Sequence, residues 1–203
     1  MNSLIVNSIA LPYDLMGAYR LQLHKSYVQW MFQPLFSNQG AASMPTVNQY
    51  ITSVTLYDKI IKERTGGLTH EDSMKQLPVP ANCMNWVLGH ILVYRVRNLG
   101  VIDGATQPDP AEWKLYGAGS EPLTDGSIAI PLETLLTRIA HASDVLISAL
   151  QSMPQERLGE LFDAESGTTI DERLNYYLVF HEAYHVGQLE VLQELALAGK
   201  QAK

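Results

Sequence analysis

The stretch Phe180-His181-Glu182-Ala183-Tyr184-His185-Val186-Gly187-Gln188 sets two imidazoles four residues apart inside a strongly helical segment. On a helix, four residues turn the side chain by about 400°, so both rings leave the same face about 6 Å apart along the axis. Such a pair either finds polar partners inside the core its helix builds or shares a metal ion. The string also fits H-E-x-x-H, the pattern of zinc-dependent proteases. Two histidines without any ligand are the plain alternative. The pair alone does not choose between these, so the other helices must.

Four amphipathic segments can be read along the chain. The first runs from about Val47 to Arg64, with Tyr50, Val54, Tyr57 and Ile61 at three- and four-residue steps and Gly66-Gly67 as its stop. His70 to Gln76 forms at most a short helical turn before Pro78 and Pro80. The second helix starts near Asn82 as N-cap and reaches Asn98, with Gly100 as the residue that closes it. Its inner stripe is Trp86, Val87, His90, Val93, Tyr94 and Arg97. Gly89, beside His90, costs about 1 kcal/mol relative to alanine and suits the close approach of a neighbouring helix. Residues 101–130 carry four glycines and three prolines and read as a long loop over a site, anchored by Trp113 and Tyr116.

The third helix begins at Pro131 and runs to Met153, with Leu132, Leu135, Ile139, Leu146 and Leu150 on one side. Thr169 and Glu172 make a T-x-x-E capping box for the fourth, which continues to Ala198. Its inner face is Leu174, Leu178, His181, His185, Gln188 and Leu192. No strand pair is expected. Helices of this length predict an all-α four-helix bundle over residues 46–203. Residues 1–45 form an N-terminal extension. From Tyr13 to Phe36 they read either as an extra helix or as a leader ahead of a start at Met44.

Composition narrows the function. A hydrophobic fraction of 46% with 17% charged residues is that of a folded globule. The net charge of −7, without any basic cluster, argues against nucleic-acid and membrane-surface partners. No apolar run reaches the roughly 18 residues a membrane span requires. Cys83 is the only cysteine, so no intramolecular disulfide forms and a reducing, cytoplasmic setting is expected. The first residues lack the charge and cleavage pattern of a signal peptide.

One histidine on an apolar face is usually a satisfied core residue. Here His90, His181 and His185 all fall on inward faces, whereas His24, His70 and His141 do not. Three buried imidazoles without partners would cost a few kcal/mol each, and one divalent ion would satisfy all three. The protease reading lacks a downstream third ligand, because Glu190 and Glu194 continue the same helix. It also lacks a strand to bind a peptide.

The segments Asn85 to Arg95 (NWVLGHILVYR) and His181 to Leu195 (HEAYHVGQLEVLQEL), with the loop Tyr116-Gly117-Ala118-Gly119-Ser120, resemble the DinB-like (YfiT-like) metalloenzyme superfamily. The resemblance covers about Pro45 to Gly199. It implies a four-helix bundle that holds one divalent metal ion, zinc, nickel or similar, on His90, His181 and His185. It further implies homodimers and, among characterised members, transferases of low-molecular-weight thiols.

A metal held by three neutral imidazoles keeps open positions, the layout of a catalytic site. The leading expectation is a small-molecule substrate, a low-molecular-weight thiol, activated for transfer to an electrophile. A metal-dependent hydrolase and a non-enzymatic, metal-stabilised interaction or stress-response bundle remain as alternatives. Glu182 points about 100° away from His181 and reaches the centre only from the side, as a weak catalytic candidate. Tyr94, Arg97, Tyr184 and Gln188 are candidates to line the substrate pocket. For Tyr94 and Tyr184 a core role is the commoner reading, and for Arg97 a snorkelling one.

Overall fold

The computed structural model of the chain describes residues 46–79 and 81–198. The extension 1–45, with its expected helix and His24, lies outside the described residues. Helix α1 (Val47–Thr65) opens where the Thr46 backbone N–H donates to Gln49 Oε1 at 3.0 Å. It buries Tyr50, Val54, Tyr57 and Ile61, the stripe expected from spacing. The short α2 (His70–Ser73) follows.

Helix α3 (Met84–Asp103) is capped by Cys83 instead of Asn82, and it runs straight through Gly100. A Cβ at Gly100 would lie 2.0 Å from the Thr106 carbonyl oxygen, so this glycine admits the returning chain and does not end the helix. The left-handed stop is Gly104, at φ +72°. Every residue from Met84 to Arg95 is buried, as befits a helix enclosed on all sides.

The segment expected as loop contains a helix, α4 (Pro110–Tyr116). Asp109 Oδ1 accepts from the Ala111 and Glu112 N–H groups at 2.8 and 3.2 Å, and Pro110 occupies the first turn. A proline counted as a break is here a helix start. Helix α5 (Leu132–Ser152) buries Leu132, Leu135, Ile139, Ser143, Leu146 and Leu150. A 3₁₀ turn (Gln155–Gly159) leads to a small antiparallel pair, β1 (Leu161–Asp163) and β2 (Thr168–Thr169), with Leu161 opposite Thr169. Strands this short carry no alternation to read, which is why no pair was expected.

The fourth helix is a composite rod: α6 (Ile170–Leu174), a π-helical segment (Asn175–His181) and α7 (Glu182–Ala198). Thr169 Oγ1 accepts the Glu172 N–H and Glu172 Oε2 accepts the Thr169 N–H, the expected capping box. In the π segment the Glu182 N–H bonds the carbonyl of Tyr177, five residues back. Residues 170, 174, 178, 182 and 186 are all buried. In a pure α-helix a four-residue repeat drifts about 40° per step and leaves the core within a few turns. The wider π turn cancels part of that drift. The buried line consequently passes through Glu182 and Val186, which join Leu174, Leu178, His185 and Leu192 of the expected inner face, while His181 and Gln188 are half-buried.

Helices α1 and α3 each pack against both α5 and the rod, and so stand at opposite corners of a four-helix arrangement. The core has two apolar clusters. One gathers Tyr57, Ile61, Trp86–Leu88, Leu135, Ile139, Val186 and Leu189; the other Tyr50, Val54, Leu146, Leu150, Leu174 and Leu178. A polar layer divides them. Arg95 of α3, with 0% exposure, donates to Glu182 of the rod, to Asp58 of α1 at 2.5 Å and to Ser143 of α5. All four long helices meet at one guanidinium.

Candidate metal centre

Trp86, His90 and Tyr94 recur every four residues on α3, so their rings form a column. Trp86 and His90 stack at 4.5 Å between centroids with 19° between planes, and Tyr94 follows at 4.6 Å from His90. The rod presents Tyr177, His181 and His185 at the same spacing. His181 and His185 lie 5.1 and 4.5 Å from the His90 ring and 4.6 Å from each other. One ligand-type atom from each of the three histidines lies within 4.8 Å of the others. Among the described residues no other group of three or more His, Cys, Asp or Glu side chains converges in this way.

The nitrogens are oriented. His90 Nδ1 lies 2.6 Å from the carbonyl oxygen of Tyr116. A carbonyl only accepts, so Nδ1 carries the proton and Nε2 keeps its lone pair. His185 Nδ1 likewise donates to Gln188 Oε1 at 2.8 Å. His90 Nε2 and His181 Nε2 are 3.2 Å apart. Two metal–nitrogen bonds of about 2.0–2.1 Å at a tetrahedral angle span about 3.3 Å, so this pair has the spacing of two ligands of one divalent ion. Burial first, then the neighbouring His185, lowers the His90 pKa to about 3 against the Tyr116 hydrogen bond. Burial also lowers that of His185, opposed by Gln188. Both are neutral at pH 7, the state a ligand needs.

Tyr116 is held to place that carbonyl. A Cβ on Gly89 would lie 2.1 Å from Tyr116 Cδ1, so the missing side chain is what lets the ring lie on α3. The Tyr116 hydroxyl donates to Asn85 Oδ1 at 3.0 Å and accepts the Ile130 N–H at 2.8 Å. Ser120, in the same loop, accepts from Trp86 Nε1 at 2.8 Å.

The other candidate residues separate. Tyr94 lies against His90 and His181, its ring 4.5 Å from the latter. Gln188 serves His185. Tyr184 is 59% exposed, its ring 5.2 Å from His185. Arg97 stacks beyond Tyr94, its Cζ 5.7 Å from that ring and 5.1 Å from Trp113. Glu182 is buried, but its carboxylate is taken by Arg95. Burial pushes its pKa up while Arg95 draws it back, the net direction being upward. Cys83 is buried, and its Sγ faces the Leu123 carbonyl. Sequence reasoning missed the Tyr116 carbonyl, for which Gly89 was the signal. It also missed Arg95, a charge inside the largely apolar run from Trp86 to Val96.

The chain belongs to the DinB superfamily, whose family model matches residues 60–189. A crystal structure titled as a conserved protein of a locus from Enterococcus faecalis aligns with a TM-score of 0.60. The alignment covers 77% of this chain and 99% of that one at 14% identity, a likeness of fold. No curated protein matches the chain. Fold and family thus accompany a three-histidine group that could hold a metal ion. No described helix is long and apolar enough to cross a membrane.

Proposed function

We propose that His90, His181 and His185 hold one divalent metal ion and that the protein transfers a low-molecular-weight thiol to an electrophile. One observation carries the metal reading: Nδ1 of His90 and of His185 are committed to Tyr116 and Gln188, which leaves the Nε2 of each as the free lone pair, that of His90 facing His181. Acceptors on the far nitrogen fix tautomer and ring orientation in such sites. A divalent ion held by these histidines would supply Lewis acidity, the chemistry that favours the thiolate form of a thiol. Tyr94, Tyr177 and Trp86 wall the histidines with aromatic surface. Glu182, paired with Arg95, takes no part as a base.

The test begins with metal analysis of untagged protein. Near one equivalent of zinc, nickel or a similar ion is expected, and chelation should lower the melting temperature. Less than about a tenth of an equivalent, with melting unchanged by chelation, refutes the metal reading. Conjugation of cysteamine and N-acetylcysteine to chlorodinitrobenzene should then depend on metal and vanish in His90→Ala. A metal-loaded protein that conjugates neither thiol refutes the transfer reading.

A further inference from the structure

Two arginines near the histidines differ from the other described ones. Arg64, Arg95, Arg138 and Arg157 each face a carboxylate. Arg97 of α3 and Arg173 of α6 have no ion-pair partner among the described residues, although the whole chain carries net charge −7. They flank one ring. Arg173 Cζ is 4.4 Å and Arg97 Cζ 6.0 Å from the Tyr177 centroid. Phe162, from β1, covers Arg173 from its other side at 4.9 Å.

This arrangement is costly as it stands. The Nε of Arg173 is buried without a hydrogen-bond partner. Burial lowers the Arg173 pKa and the charge of Arg97 adds to that, while Tyr177, Tyr94 and the more distant Asp163 carboxylate, which forms no ion pair with it, oppose the shift. Two neighbouring guanidiniums, one with a buried donor left without a partner, favour an anion that takes up that donor. Stacking on aromatic faces occupies the guanidinium planes and leaves N–H edges for a carboxylate. The pair also stands at substrate range. Arg97 is 5.7 Å from the Tyr94 ring, and that ring is 4.5 Å from His181.

We infer that Arg97 and Arg173 form a carboxylate-binding subsite, so that the substrate of the centre proposed above is a small carboxylate-bearing molecule. Its anionic end sits on the two guanidiniums, its body lies along Tyr94, Trp113 and Tyr177, and its reacting group faces His90, His181 and His185. This deepens the metal-centre reading and rests on it for the direction the molecule takes. The carboxylate belongs either to the thiol or to its acceptor.

Binding separates these sources. The full-length protein, metal-loaded and chelator-stripped, is titrated by tryptophan fluorescence, Trp113 lying against Arg97. One ligand pair is N-acetylcysteine and its amide, the other fumarate and fumaramide. In at least one pair the acid should bind about tenfold tighter than the amide, a preference that weakens with salt. A preference in the first pair assigns the carboxylate to the thiol, and in the second to the acceptor. R97Q and R173Q should each bring acid and amide within about threefold, while R97K and R173K keep part of the difference because charge survives the loss of the fork. Equal binding of acid and amide in both pairs overturns the subsite, as does a preference that persists in R97Q. Circular dichroism checks folding, and if R173Q does not fold, R97Q decides. A carboxylate preference in protein that binds no metal leaves the subsite standing and removes the centre. Stoichiometric metal without any preference does the reverse.

Discussion

Glu182→Gln tests the division of labour in the H-E-x-x-H segment. Arg95 is fully buried, and Glu182, 4% exposed, receives both its Nε and Nη2. The amide keeps the shape and removes the charge, leaving Arg95 with Asp58, whose side chain is 31% exposed. Breaking a buried pair from one side costs about 3–5 kcal/mol, and the remaining Asp58 places this case near about 3. At about 2–4 °C per kcal/mol for a domain of this size, the melting temperature should fall by about 6–12 °C. Differential scanning calorimetry and urea titration read the loss, and metal content should stay at the wild-type level. Arg95→Met/Glu182→Met should lose less than its two single variants together, because the apolar pair strands no charge. A Glu182→Gln protein that melts within about 1 °C of wild type yet is inactive refutes the structural assignment and restores the carboxylate as a catalytic base.

Gly89→Ala places a Cβ 2.1 Å from Tyr116 Cδ1. Overpacking of about 1–3 kcal/mol outweighs or cancels the gain of about 1 kcal/mol in helix propensity, and the displaced Tyr116 carbonyl should weaken metal binding about tenfold in a calorimetric titration. Wild-type affinity would show that the carbonyl does not orient His90. Gln188→Leu removes the acceptor on His185 and should weaken metal binding by about 10–100-fold with little change in fold, checked by the same titration and circular dichroism. The metal-free protein should lose stability as pH falls below about 6.5. His90 has its folded pKa lowered to about 3, so the unfolded state binds the extra proton throughout that interval. By pH 5 this residue alone accounts for about 2 kcal/mol, and His185 adds to it in the same direction. A flat urea midpoint between pH 7 and pH 5 would contradict the burial of both rings.

The apolar stripes of α1 and α5, the Thr169 capping box and the inward placement of three histidines were legible because each rests on regular α-helical spacing. The polar layer was not. Arg95 and Glu182 look like surface charges one residue off an inner face, and only their meeting across the bundle makes them core residues. The rod defeated extrapolation for a related reason, since a π segment leaves no mark in an i, i+3, i+4 pattern and moves the buried line by one position. Helix α4 was hidden by reading Pro110 as punctuation without weighing Asp109 before it as a cap. Gly100 looked like a terminus because close packing and helix stopping favour the same residue.

The π segment has a further consequence. It lies between Arg173 and the pair His185 and Gln188, and itself carries Tyr176, Tyr177 and His181. Deleting a single residue between Asn175 and Phe180 would restore α-helical winding and swing the upstream side chains by about 100° around the rod relative to those downstream. Chain length in that turn therefore acts as a phase dial between the two halves of the rod. Arg173 can thus be re-aimed by an insertion or deletion in that turn, while His185 and Gln188 keep their places.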